Sequence, residues 1–106
     1  MARIGAHLRA AVGQAVRRQR DRLTPVETAG EHHHKVEVVY RKKNGEVIDR
    51  VCNPYEIKPH RTSGAMMVYL TDDASGPQQI KSYRADGVRR TEETNRRYIP
   101  RWPVQF

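Results

Sequence analysis

The apolar residues of this chain change rhythm at Val36. Before it they recur every three or four positions; after it they alternate, until Asn44-Gly45 interrupts with a strong hairpin-turn signal. Val36, Val38 and Tyr40 share one face of the outgoing strand, and Val47 and Val51 alternate with Ile48 and Arg50 on the return. A hairpin with an apolar face has to bury it, so the rest of the chain must supply a cover.

Further short strands are predicted downstream. "YEIKP", bounded by Pro54 and Pro59, reads as a short or edge strand because proline cannot donate to a ladder. In "AMMVYLT" Met66, Val68 and Leu70 alternate with Met67 and Tyr69; "DDASGP" turns into "QQIKSY", and the Asp86-Gly87 bend leads to a last strand near "VRRTEE". This spacing predicts a mainly β domain over residues 36–95, a small five-stranded barrel, closed or nearly so.

The flanks read differently. Over residues 1–23 Ile4, Leu8, Ala11, Val12, Ala15, Val16 and Leu23 recur at helical spacing and leave the arginines on the other face. Gly5 and Gly13 each cost about 1 kcal/mol in a helix interior, so this basic amphipathic helix needs a surface to pack on. Residues 24–35 read as a linker with one helical turn, Thr24 capping, Pro25 first and Gly30 stopping it. The tail 96–106 holds Pro100 and Pro103 and cannot be a regular element; Trp102, its largest apolar group, is expected to lie across the barrel.

At 106 residues the chain has room for a single core. The net charge of +8 is concentrated at the ends: six arginines oppose Asp21 in residues 1–22, and three arginines stand in 96–106. Such an excess favours polyanions. One cysteine, Cys52, excludes an internal disulfide and suits a reducing, cytoplasmic setting; no apolar run is long enough for a bilayer, so no membrane partner is expected.

"VEVVYRKKNGEVIDRVCNPYEI", "MMVYLT" and "IKSYRADGV" together resemble the WYL domain of bacterial regulators. The ordered series is Tyr40 ending the first strand, Arg50 and Pro54 on the second segment, Tyr69-Leu70, then Lys81, Tyr83, Arg84, Asp86 and Val88. Val68 stands where the family has its name-giving Trp, and Gly87 where a basic residue is usual. The resemblance implies an Sm-like small β-barrel of the Src-homology-3 type behind an N-terminal helix; with one long helical segment before it, the usual helix-turn-helix is not expected here. It also implies a non-enzymatic role in sensing nucleic acid or nucleotide ligands.

On that basis Arg50, Lys81 and Arg84 are expected to form a cationic patch, with Arg61 nearby and Tyr40, Tyr69 or Tyr83 offering a ring. Arginine forks grip phosphate, and base stacking is worth about 1–3 kcal/mol without sequence preference, so the expected ligand is single-stranded DNA or RNA, or a nucleotide. Replacing Arg50 and Arg84 by Glu is then expected to abolish binding and leave stability nearly unchanged. The competing expectation for the same residues is a salt-bridge ladder with Asp49, Asp86 and Glu56, worth about 0–1 kcal/mol per pair.

Other constellations carry less. In "HHH" only His32 and His34 could share an ion, with His7 or His60 completing the set, and the expectation is a solvated linker without metal. Cys52 has no nucleophile turn around it and no acid, base and oxyanion set can be assembled, so no catalytic residues and no cofactor are expected. A different class of function remains as the alternative: a protein-interaction module, of the kind a phage modulator of a host protein uses, docking through the basic helix and the Trp102 tail. A third is a structural oligomer, such as a homodimer, formed by pairing exposed sheet edges.

Overall fold

The computed structural model describes residues 2–106, with side chains from Arg17 onward. The apolar stripe expected on Ile4 to Val16, and His7, therefore lie outside the described side chains. A single long helix, α1 (Ala2–His32), leads into five strands: β1 (His34–Arg41), β2 (Val47–Pro59), β3 (Met66–Asp72), β4 (Gly76–Arg84) and β5 (Val88–Arg97). A 3-10 turn, Ala85–Gly87, joins β4 to β5.

The helix does not stop at Leu23. It runs through Pro25 to His32, so the segment read as a linker is its last two turns and more. Thr24 does not cap; its hydroxyl donates back to the Arg20 carbonyl at 3.0 Å. An internal proline costs about 3 kcal/mol. Burial of Leu23, Val26 and Ala29 against the sheet offsets it, three side chains on one stripe at about 1.5–3 kcal/mol for each large one.

All five strands are antiparallel, in the order β4-β3-β2-β1-β5. The β1–β2 hairpin sets Tyr40 opposite Ile48, Val38 opposite Arg50 and Val36 opposite Cys52. Lys42 N–H donates to the Glu46 carbonyl at 2.8 Å, with Gly45 at φ 89° inside the loop, where a side chain would be strained. The segment "YEIKP" is no separate strand: it continues β2, which passes Pro54 by means of a bulge at Tyr55. The bulge is what lets a proline sit in the middle of a sheet.

The sheet curls, because Tyr40 on β1 and Tyr83 on β4 stack at 4.5 Å although two strands lie between them. It does not close. β4 and β5 are the two edges and no ladder joins them among the described residues, so the expected barrel is observed as an open, curled sheet. Val36, Val38, Ile48, Cys52, Val68, Leu70 and Val88 fill its inner face under the α1 stripe.

The tail folds back along the stretch of β2 that β1 leaves free, where Gln105 forms a parallel bridge to Glu56. The Tyr98 hydroxyl donates to the Pro54 carbonyl, Trp102 meets the Tyr55 ring edge-on at 5.5 Å, and Gln105 N–H donates to the Tyr55 carbonyl at 2.8 Å. Phe106 reaches α1 and lies on Gly30, at a spot that any β-carbon there would occupy. Among the described residues no helix is long and apolar enough to cross a membrane.

Candidate anion-binding face

Opposed residues of an antiparallel pair point to the same side, so the register sorts the expected site residues. Tyr40, Arg50, Lys81 and Tyr83 pair with Ile48, Val38, Leu70 and Val68, and so belong to the inner face. Tyr69 pairs with Glu56 and Ser82 and belongs to the outer one, where the Lys58 ammonium lies 5.0 Å from its ring. Arg61 stands in the exposed turn between β2 and β3, apart from the others.

On the inner face the rings and the cation are engaged with one another. Tyr40 and Tyr83 are buried and nearly parallel, at 14°, so each covers the other's face. The Tyr83 hydroxyl donates to Asp72 Oδ2 at 3.2 Å, and the Arg50 guanidinium approaches the same oxygen at 3.5 Å. Ala74 N–H donates to the other carboxylate oxygen at 2.7 Å. Burial, with help from Cys52 and Asp72, pushes the Tyr83 hydroxyl well above the ordinary tyrosine range and keeps it a donor. Burial likewise pushes the Cys52 thiol up, with Asp72 adding to the effect, and so suppresses the thiolate a nucleophile needs.

Arg84 leaves this interior for the rim. The Tyr40 hydroxyl, then Asp86, raises the Arg84 pKa, and its Nη1 stands 3.7 Å from Asp86. Lys81 donates to Ser75 Oγ at 2.6 Å, away from Arg84. The structure thus brings together Tyr40, Arg50, Tyr83 and Arg84; Lys81 shares the inner face but is tied to Ser75, and Tyr69 and Arg61 stand elsewhere.

At the rim Arg84 has company that sequence reasoning missed. Arg41, Lys42 and Lys43 from the hairpin and Arg89 from β5 surround a concavity of about 350 Å³ with Arg84, Asp86 and Gly87. Lys42 pairs with Glu46 at 3.5 Å, and Arg89 donates to the Asp86 carbonyl at 3.4 Å. Five cations therefore face one lining carboxylate. The "RKKNG" run was visible as a hairpin tip, but its approach to Arg84 and Arg89 depends on the curl. Gly87 is fixed by the same crowding: a β-carbon would strike the Tyr40 ring and come within 2.8 Å of the Arg41 carbonyl oxygen.

These residues sit on a curled, open five-stranded antiparallel sheet packed against one helix. Among solved structures the chain is similar to proteasome accessory factor B/C (PafBC) of Arthrobacter aurescens, with a TM-score of 0.64 at 15% identity. The match covers 76% of this chain and spans 12% of that one, and at this identity it shows a common fold alone. No protein-family model and no curated protein matches the sequence.

Proposed function

We propose that this chain is a non-enzymatic regulatory domain that senses phosphate-bearing ligands, single-stranded nucleic acid foremost, at the rim formed by Arg41, Lys42, Lys43, Arg84 and Arg89. The observation that carries the reading is the gathering of those five cations around one concavity with Asp86 as its lining acid. Convergent guanidinium and ammonium donors at a solvated rim are what phosphate needs, and their exposure keeps the desolvation cost low. The resemblance to WYL domains supports a ligand-sensing role, and the curled sheet corresponds to an Sm-like barrel left open at its β4–β5 seam.

Sensing has a physical route. An anion that draws Arg84 away from the Tyr40 hydroxyl and Asp86 disturbs the stacked Tyr40–Tyr83 pair, and through Tyr83 the Asp72–Arg50 pair behind it. Stacking of bases, in contrast, finds no open ring at Tyr40 or Tyr83, so affinity rests on phosphates and falls steeply with salt. Labelled single strands titrated across a salt series test this. Lys42→Glu with Lys43→Glu should abolish binding and leave the fold intact; binding unchanged in that double variant overturns the proposal.

A further inference from the structure

We propose that His32, His34 and Glu93 form a three-ligand site for a borderline divalent transition metal, Zn2+ above all, which fastens the end of α1 to β1 and β5. Nδ1 of His32 and Nδ1 of His34 both lie against Glu93 Oε2, at 2.7 and 2.8 Å, and the two imidazoles meet edge to face at 5.5 Å. All three ligand atoms stand within 4.8 Å of one another.

The backbone explains how neighbours two apart come to one side. His33 sits at φ 54°, in the left-handed region, its N–H closing on the Gly30 carbonyl at 3.2 Å. That residue turns the chain from helix to strand and aims His32 and His34 at the same carboxylate. Its carbonyl accepts Tyr98 N–H at 3.0 Å, so the turn is held from the tail as well. Glu93 is presented by β5 opposite Val36.

Two imidazoles and a carboxylate are a ligand set that Zn2+ takes, with a fourth position left for water. A tetrahedral ion about 2.0–2.1 Å from each atom sets ligand atoms about 3.3 Å apart, so each ring withdraws by about half an ångström. Each imidazole then carries its proton on Nε2 and offers the Nδ1 lone pair. The negative end of the α1 dipole favours a cation there. Arg97, paired with His34 in the ladder, opposes it and limits the affinity.

The test uses the full chain with Zn2+ alone, by calorimetric titration and by thermal melting, and Co2+ as a probe whose visible absorption reports four-coordination. Expected are one ion per chain, a raised Tm, no response to Mg2+, and a four-coordinate Co2+ spectrum. Loss of a group merely adjacent to a ligand costs about 10–100-fold in affinity, so Glu93→Gln and His34→Ala should each cost at least about tenfold. His32→Ala removes an exposed side chain and should do the same without threatening the fold. His33→Asn, which tolerates the left-handed backbone, should leave binding unchanged. No uptake of Zn2+ overturns the proposal, as does uptake that survives Glu93→Gln or that falls equally in His33→Asn.

Discussion

Asp72 is a buried carboxylate that takes a hydroxyl, a guanidinium and a backbone amide. Arg50 is therefore a structural partner as well as a candidate ligand contact, and the expectation that Arg50→Glu leaves stability untouched does not survive the structure. That substitution sets two carboxylates face to face; it should lower unfolding free energy by about 2 kcal/mol, less than a fully buried pair would lose because Arg50 is half-exposed. Arg84→Glu, at the rim, should cost little, and denaturant melts of the two variants separate them. Thr71 offers the opposite case. Its hydroxyl is buried and meets no hydrogen-bond partner among the described residues, so Thr71→Val should raise stability by about 1 kcal/mol in the same assay.

At the scale of elements, β1, the start of β2 and β3 were legible because their apolar residues alternate, and β4 and β5 because turn residues bound them. Two features were not. Pro25 looked like a helix start, yet the stripe Leu23, Val26 and Ala29 continued across it, and the sheet beneath decided the matter. Pro54 looked like a strand boundary, yet the bulge at Tyr55 absorbed it. The tail adds a third lesson: Trp102, Gln105 and Phe106 are committed to Tyr55 and Gly30, so removing residues 96–106 would strip buried Tyr98 from the fold, and a loss of partner binding on that truncation would not by itself mark a docking tail. Gly30 can be used to measure the commitment. Alanine should gain about 1 kcal/mol of helix propensity in a chain lacking residues 103–106, and gain less in the full chain, where its methyl displaces the Phe106 ring.

Taken as a whole molecule, charge counted along the chain put the cations at its ends, while the fold assembles a separate group from its balanced middle. Proximity across the curl, and not local composition, makes that rim, which is why only Arg84 of its five members was anticipated. Curvature also makes the His32–Glu93–His34 cluster. The hydrogen bond from His32, then that from His34, holds the Glu93 carboxyl below its ordinary value of 4.5. The folded state thus binds fewer protons than the unfolded chain there, so this stability is present above that value and is lost as pH falls through the lower one. Glu93→Gln should flatten the decline of unfolding free energy below about pH 4.5, measured by denaturation across an acid series.

Neighbouring β5 and β1 in space, although far apart in sequence, also impose an order on synthesis. The strand finished at Arg41 keeps one ladder bare until Val88 and its successors leave the ribosome, several seconds at about 5–20 residues per second. In that interval Lys35, Glu37 and Arg41 are the charges that discourage a stray strand from another nascent chain from pairing there.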